Sequence, residues 1–202
     1  MKIGKVYIIS LKSHDVNEQN IIKSKLDKCN FNNSTPFQIV QAWDGRSGIF
    51  PKNISIYNNW RLKSDSNRWW SRDILPGEVG CALSHFNIWK DIVNEEVSNA
   101  LILEDDFLVN APLGSLDEPK NKDWDLLYLG REIIEKDIEE KKIDELWVLP
   151  RHSYNSHAYI LSLDGAKKML EYSYDKNIIP VDEFISATVY PHRRKDILKL
   201  FP

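Results

Sequence analysis

The sequence predicts an α/β fold, a single domain spanning residues 1–202 with a Rossmann-like mixed sheet flanked by helices. Short apolar runs rich in Val, Ile and Leu alternate with longer segments of helical spacing, and this alternation is typical of α/β proteins. The length of 202 residues suits one domain with a sizeable core. The 42% hydrophobic and 28% charged residues are ordinary for a globular protein.

Five short apolar segments are predicted to form the strands. The first contains the run Val-Tyr-Ile-Ile, and another runs directly into the acidic residues that begin at Glu104. Each segment is short and rich in β-branched or aromatic residues, as strands are. The predicted strands are 5–11, 37–42, the segment ending at Glu104, 124–130 and 156–161.

Helices are predicted between these strands. The clearest is 76–94, because Pro76 suits the first helical position and apolar residues from Val79 to Val93 recur at helical spacing. The others are 17–30, 164–174 and a last helix that starts at Pro180.

Two segments lack a clear period. Residues 46–75 are polar, aromatic and irregular, and such a long stretch inside a compact domain indicates a functional loop region or a disordered one. Residues 132–145 are rich in charge, and we expect a solvated helix or a mobile loop there.

The composition excludes several classes of protein. A net charge of −3 argues against a duplex nucleic-acid binder, which normally carries a basic face. No apolar run approaches the ~20 residues that span a bilayer, so we expect no membrane span. The N-terminus resembles a first core strand more than a signal peptide, and we therefore expect a cytoplasmic location. The two cysteines indicate neither a disulfide framework nor a thiolate metal site.

The most informative motif is the acidic run Glu104, Asp105, Asp106, which directly follows the apolar residues Leu101 to Leu103. Neighbouring carboxylates repel one another, and burying one is costly unless a cation lies among them. On an extended chain Glu104 and Asp106 point to one side. We therefore predict a site for a hard divalent ion, Mn²⁺ or Mg²⁺. The alternative is a solvated acidic turn.

Several longer motifs make the chain similar to glycosyltransferase family 25, which includes bacterial lipooligosaccharide galactosyltransferases and animal procollagen galactosyltransferases. The similarity runs over nearly the whole chain in the family's order, and three motifs, WDLLYLGR, the SY before HAY and PVDEF, resemble the collagen-modifying branch more closely. The motifs are VYIISL, AWDGR, LPGEVGCALSHFNIW, LILEDDF, WDLLYLGR, SHAYILSLDGAKKML and IIPVDEF.

This resemblance implies a GT-A-like fold that binds a nucleotide sugar at the carboxyl ends of the strands. It also implies Mn²⁺ dependence, UDP-galactose as the usual donor and an inverting reaction. Glu104, Asp105 and Asp106 match the family's acidic motif, with Glu104 and Asp106 as candidate metal ligands and Asp105 as a candidate donor contact.

Further donor contacts are predicted in two places. Asp44 is placed to accept hydrogen bonds from the nucleoside, although an Asp-Gly turn with a self-bonded side chain is the alternative. Gly77 and Gly80 permit close backbone approach, and Ser84 and His85 lie one helical turn further on. The match of GEVGCALSH favours His85 as a contact to a phosphate or sugar hydroxyl over a packed core histidine.

The general base is predicted in the motif PVDEF. An inverting transfer needs a carboxylate or imidazole within reach of the acceptor hydroxyl, and Asp182 is preferred with Glu183 as the alternate. The other interpretation of Asp182 is a helix N-cap. A helix N-terminus favours the ionised acid, which keeps a carboxylate available but weakens it as a proton acceptor.

Late histidines and tryptophans supply further candidates. His192 is the candidate third metal ligand, and because homologous chains continue further the C-terminal segment is expected to be short. His152 and His157 are expected to be either polar edge residues or acceptor contacts. Aromatic faces suit sugars, so the tryptophans of 46–75 either form a sugar platform or pin that loop to the core; they are Trp60, Trp69 and Trp70.

The resulting hypothesis is a metal-dependent transferase that moves galactose, or glucose, from a UDP-sugar to an acceptor hydroxyl. The acceptor is hydroxylysine of a collagen-like protein or, in the alternative, a glycan as in lipooligosaccharide synthesis. Two rival classes are a catalytically silent UDP-sugar-binding module and a metal-dependent phosphohydrolase. The phosphohydrolase needs a nucleophilic Asp near the first strand, where the chain offers only the late Asp15.

Overall fold

A computed structural model describes residues 1–31, 35–63, 66–113, 116–120 and 123–202 of the chain. Its centre is a five-stranded sheet with the strand order β2-β1-β3-β5-β4. The strands are β1 Lys5–Ser10, β2 Phe37–Gln41, β3 Asn99–Glu104, β4 Leu126–Ile133 and β5 Ser153–Ser162.

The sheet is mixed. β1 pairs in parallel with both β2 and β3, whereas β5 is antiparallel to β3 and to β4. The carboxyl ends of β1, β2, β3 and β4 therefore meet the beginning of β5 at one edge. The register places Ile9 beside Glu104, and Leu103 beside Ala158. This edge is where open α/β sheets bind their ligands.

Helices cover both faces of the sheet. β1 and β3 are buried on both sides, which explains their continuous apolar runs. On one face α1 packs with Ile22 and Leu26 against the sheet, and on the other α2, α3 and α4 enclose a larger core around Trp89 and Phe184. The helices are α1 Val16–Lys28, α2 Pro76–Asn94, α3 Leu163–Glu171, α4 Val181–Val189 and α5 Lys195–Leu200.

The structure confirms the predicted α/β fold with a mixed sheet flanked by helices. Two details were wrong. The helix that begins after Pro180 is not the last one, because α5 follows it. The helical alternative for 132–145 is also wrong, since β4 continues to Ile133 and the rest forms turns closed by a bridge between Lys142 and Val148.

The irregular segment 46–75, apart from residues 64 and 65, is held against the core by two of its tryptophans. Trp60 and Trp70 are only 2% and 8% exposed. Trp60 lies beneath the guanidinium of Arg194, at 4.8 Å from ring centroid to carbon, and Trp70 donates a hydrogen bond to Glu183. Trp69 stays 41% exposed. The two buried rings thus anchor the loop, and only Trp69 presents a partly open face.

Across the described ranges, no helix combines the length and apolarity needed to cross a membrane.

Candidate functional site

The acidic run lies at the edge of the sheet where the carboxyl ends of β1 to β4 meet. β3 ends at Glu104, and Asp105 and Asp106 form a turn directly after it. The Asp105 amide donates to the Ile9 carbonyl at 3.0 Å, and the Asp105 carbonyl accepts from Lys25 Nζ at 2.6 Å. Lys25 also lies over the ring of Phe107. The backbone of the acidic turn is therefore fixed by β1 on one side and α1 on the other.

A cavity of about 620 Å³ opens at this turn. Glu104 and Asp106 both line it, together with Asn155 and His157 from the beginning of β5. His157 packs directly on Gly130 of β4, where a Cβ atom would lie 2.3 Å from its Nε2. Gly130 thus makes room for an imidazole beside the two carboxylates.

Glu104 is ionised in this setting. Burial disfavours its charged form, but the ring of His85 and the neighbouring His157 outweigh burial and hold the Glu104 pKa below its usual value. His85 Nε2 lies 3.5 Å from Glu104 Oε1, and Cys81 Sγ lies 4.0 Å from the same oxygen. Among the described residues no Lys or Arg pairs with Glu104, and an ionised, partly buried carboxylate of this kind is a natural ligand for a hard cation.

The donor set fits a divalent ion that prefers oxygen. Glu104 supplies one carboxylate, and the exposed Asp106 supplies a second on the same cavity. Cys81 and His85 also place a ligand atom within 4.8 Å of Glu104. Burial and Glu104 raise the pKa of the Cys81 thiol well above its usual value, so it stays protonated and is a poor ligand. The oxygens of Glu104 and Asp106 therefore carry the candidate site.

Asp182 is connected to this cavity through a hydrogen bond from Asn155, which lines it. The backbone amide of Asn155 donates to Asp182 Oδ2 at 3.3 Å. Asn155 adopts a left-handed φ of 63°, which Asn tolerates better than most residues other than Gly. Asp182 Oδ1 accepts from the Glu183 amide. The cap of α4 is Pro180, so the interpretation of Asp182 as the N-cap is wrong.

Burial and the adjacent charge of Glu183 raise the pKa of Asp182 to about 6. The expectation that the helix N-terminus would make Asp182 a weaker proton acceptor is therefore wrong, since its surroundings outweigh the helix dipole. A carboxylate with a pKa of about 6 is ionised at pH 7 and accepts a proton more readily than an ordinary Asp.

Glu183, the alternate base, is held in a buried cluster. Its Oε1 accepts from Trp70 Nε1 at 2.7 Å, and its Oε2 lies 2.8 Å from His192 Nε2 and 3.3 Å from His152 Nε2. Burial opposes its ionisation, but the close imidazole of His152 and the hydrogen bond with His192 lower the Glu183 pKa to about 2. Glu183 is only 2% exposed. These contacts make it an anchor of α4.

His192 lies in this Glu183 cluster, and Glu104 lies in a different one. His192 Nδ1 accepts a hydrogen bond from the Arg194 amide at 3.0 Å. A neutral imidazole that accepts at Nδ1 carries its proton on Nε2, which then donates to Glu183. In this arrangement His192 is a hydrogen-bond donor with no lone pair free at Nε2 for a metal.

Of the other residues predicted to contact the sugar donor, some pack against the protein and one faces open space. Asp44 caps the short 3₁₀ turn Gly45–Ser47 and pairs with Arg46 at 2.7 Å, as the turn interpretation expected. A Cβ on Gly80 would lie 2.5 Å from the Trp43 carbonyl, so Gly80 lets α2 approach the preceding loop. Gly77 faces open space.

Ser84 and His85 are both buried. The Ser84 hydroxyl accepts from the Trp43 amide and donates to the Gly80 carbonyl, which ties the loop to α2. His85 is fully buried between Tyr159 and Glu104. His85 therefore meets the acidic site from inside the protein, whereas the sequence predicted a contact to the donor.

Sequence reasoning underrated His157 and missed Asn155 and Lys25. The sequence allows His157 to be either an edge residue or an acceptor contact, and only the packing of its ring on Gly130 places it beside Glu104. Asn155 carries no sequence signal beyond its tolerance of left-handed backbone. Lys25 sits on the partly exposed side of α1, where a lysine is ordinarily solvated.

The chain was compared with known proteins. The family model described as glycosyltransferase family 25 (LPS biosynthesis protein) matches residues 3–185. Procollagen galactosyltransferase 1 of Danio rerio is 27% identical over 100% of this chain and 34% of its own length. Procollagen galactosyltransferase 1-B of Xenopus laevis is 30% identical over 97% of this chain and 33% of its own length.

A third relative is the probable inactive glycosyltransferase 25 family member 3 of Bos taurus, 30% identical over 95% of this chain and 33% of its own length. The chain thus spans about a third of the length of these relatives. The family match covers most of the chain and confirms the predicted family and its collagen-modifying branch, so this chain belongs to glycosyltransferase family 25.

Proposed function

We propose that this domain is a metal-dependent inverting transferase that moves a hexose from a UDP-sugar to an acceptor hydroxyl. One observation carries the proposal. Glu104, Asp106 and His157 line one cavity at the carboxyl edge of the sheet, and Asn155 of the same cavity hydrogen-bonds the raised-pKa carboxylate of Asp182. The cation site and the candidate base are therefore connected through Asn155.

Glu104 and Asp106 would hold the ion, Mn²⁺ or Mg²⁺. When bound, it offsets the negative charge that develops on the departing diphosphate. Lys25 and the Ile9 carbonyl keep the backbone of the acidic turn in place. Gly77, in the first turn of α2, leaves open space beside its Cα for a donor group.

Asp182 is proposed as the general base. The acceptor oxygen forms a bond to the anomeric carbon from the face opposite the diphosphate, the bond from that carbon to the diphosphate oxygen breaks, and UDP leaves. The acceptor's proton moves to the Asp182 carboxylate. Attack from the opposite face inverts the configuration at that carbon.

Galactose is the favoured sugar and glucose the alternative, because the names of the similar vertebrate proteins include galactosyltransferase. The same names include procollagen and so support a collagen-like chain as the acceptor, on which we propose hydroxylysine as the accepting residue. The description of the matching family as an LPS biosynthesis protein supports a glycan acceptor as the alternative.

Two other functions are distinguishable. A silent UDP-sugar-binding module has support in the similar bovine protein named probable inactive. A phosphohydrolase has little support, because its candidate nucleophile Asp15 is the N-cap of α1 and accepts hydrogen bonds from the backbone amides of Asn17 and Glu18.

The test is UDP release and sugar transfer with and without Mn²⁺, across UDP-galactose, UDP-glucose and their N-acetyl forms. A hydroxylysine-containing collagen peptide and a galactose-accepting oligosaccharide serve as acceptors. Metal-stimulated transfer to either acceptor supports the proposal. Donor binding without turnover supports the silent module, and phosphate release from a simple monoester supports the hydrolase.

A further inference from the structure

Four side chains from three elements form a line that ends at the acidic site. Trp89 and His85 come from α2, Tyr159 comes from β5 and Glu104 comes from β3. The first three are fully buried, and only Glu104 reaches the cavity. Trp89 Nε1 lies 2.9 Å from the Tyr159 hydroxyl, that hydroxyl lies 2.9 Å from His85 Nδ1, and His85 Nε2 lies 3.5 Å from Glu104 Oε1.

The protons in this line have one consistent arrangement. The Trp89 indole can only donate, so the Tyr159 oxygen accepts from it. The Tyr159 hydroxyl proton then needs an acceptor, and His85 Nδ1 is the partner at its other side. A neutral imidazole that accepts at Nδ1 carries its proton on Nε2. That Nε2–H faces Glu104.

The other neutral tautomer of His85, with its proton on Nδ1, is unfavourable for two reasons. A proton on His85 Nδ1 would leave the buried Tyr159 hydroxyl proton without an acceptor. It would also turn the lone pair of Nε2 toward the carboxylate of Glu104. Among the described residues His85 Nε2 has no hydrogen-bond partner within normal limits, and the 3.5 Å to Glu104 is the approach that can complete one.

We propose that His85 is a positioning residue, whose Nε2–H holds Glu104 Oε1 and leaves the second carboxylate oxygen to the cation, while Tyr159 and Trp89 fix the tautomer. This inference rests on the proposed function, because it assigns the cation to Glu104. Hydrogen bonds that orient a ligating carboxylate typically change metal affinity by about 10–100-fold.

The first experiment needs no metal and no activity. Long-range ¹⁵N–¹H correlation spectra of the metal-free protein report the tautomer of each of its 5 histidines, and the His85→Gln variant assigns the His85 signals. We expect the Nε2–H form in the native protein and a mixture of tautomers in Tyr159→Phe. An Nδ1–H ring in the native protein would contradict the proposed positioning role of His85, whether or not the protein is a transferase.

The second experiment measures Mn²⁺ affinity by calorimetry in the presence of UDP. Tyr159→Phe should weaken Mn²⁺ binding about tenfold. Tyr174→Phe is the matched control, because Tyr174 is equally buried in the same core and its hydroxyl bonds only to the Ile179 carbonyl among the described groups. Equal Mn²⁺ affinity in the two variants would contradict the proposal.

His85 itself offers a rescue test. In His85→Gln the amide can accept from Tyr159 and donate to Glu104, so Mn²⁺ affinity should stay within a few-fold of the native value, whereas His85→Leu should lose about tenfold or more. Equal losses of Mn²⁺ affinity in both variants would show that His85 only packs in the core. A native protein without Mn²⁺ affinity would overturn both the proposed function and this positioning role. An Nδ1–H ring at His85 would overturn the positioning role alone.

Discussion

Asp182 owes its proposed role to its surroundings. Burial and the charge of Glu183 raise its pKa to about 6, so the carboxylate becomes ionised as the pH rises through 6. A base must be ionised to accept a proton, so kcat/KM for transfer should fall tenfold per pH unit below about 6. The measurement is the pH profile of transfer at saturating Mn²⁺. A rate independent of pH between 4.5 and 7 would contradict this assignment.

The variant Asp182→Asn should reduce kcat by about 10²–10⁴-fold, since it removes the proton acceptor and keeps the shape. UDP-sugar affinity should stay near its native value. Asp164→Asn, in the exposed first turn of α3, is the control and should keep full activity. An active Asp182→Asn variant would exclude Asp182 as the base.

Glu183 should act on the reaction through its charge. Its ionised carboxylate lies next to Asp182 along α4 and is the second cause of the raised Asp182 pKa, after burial. Glu183→Gln removes that charge and should move the acidic limb of the pH profile below pH 6. It should also destabilise the fold by about 1–3 kcal/mol, because charged hydrogen bonds from Trp70 and His192 are weakened. An unchanged acidic limb in a folded variant would show that burial alone sets the pKa.

Only part of this detail could be predicted from the sequence. The acidic run can be recognised in the sequence, because three carboxylates after an apolar strand need a counter-charge. The different roles of Asp182 and Glu183 could not be predicted, because they depend on which histidines and tryptophans pack against α4. Likewise, helical spacing places His85 on α2, but only the docking of α2 on β5 buries it against Tyr159.

The helix α2 shows how one element serves both packing and the site. Gly80 lies against the Trp43 carbonyl and Gly45, while Gly77, one turn earlier, faces open space. Ala is favoured over Gly inside a helix by about 1 kcal/mol. Gly77→Ala should therefore keep or slightly raise the free energy of unfolding.

Gly80→Ala should lower that free energy, because its Cβ would lie 2.5 Å from a backbone oxygen and must displace the loop that holds Asp44. Overpacking of this kind costs about 1–3 kcal/mol. Urea unfolding of the two variants measures the difference. A Gly80→Ala protein as stable as Gly77→Ala would show that the loop moves aside at no cost.

The segment 46–75 marks the limit of prediction for single elements. Its composition indicated a functional loop or a disordered one, with tryptophans as platform or anchor. Anchoring holds for Trp60 and Trp70, because Arg194 and Glu183 come from the far end of the chain to meet them. Contacts across more than 100 positions leave no local pattern, whereas the strands and helices themselves can be predicted because their hydrophobic periods are local.

The folded protein should become more stable when the site is filled. Glu104 is the last residue of β3, Asp106 follows it, Lys25 belongs to α1 and His157 to β5. The site therefore exists only when these elements are assembled. A ligand that binds only the folded state at 100 times its Kd adds about 2.7 kcal/mol. For a domain of this size that corresponds to a rise in Tm of about 5–10 °C.

We therefore expect Mn²⁺ and UDP together to raise Tm by about 5–10 °C, and EDTA to reverse the rise. Glu104→Gln should lose most of it, since the neutral amide is a weak ligand for a hard cation. Glu171→Gln, in the exposed last turn of α3, should keep it and controls for the general loss of a negative charge. An equal rise in both variants would place the ion away from Glu104, and the acidic turn would then be a solvated surface feature with the nucleotide bound elsewhere.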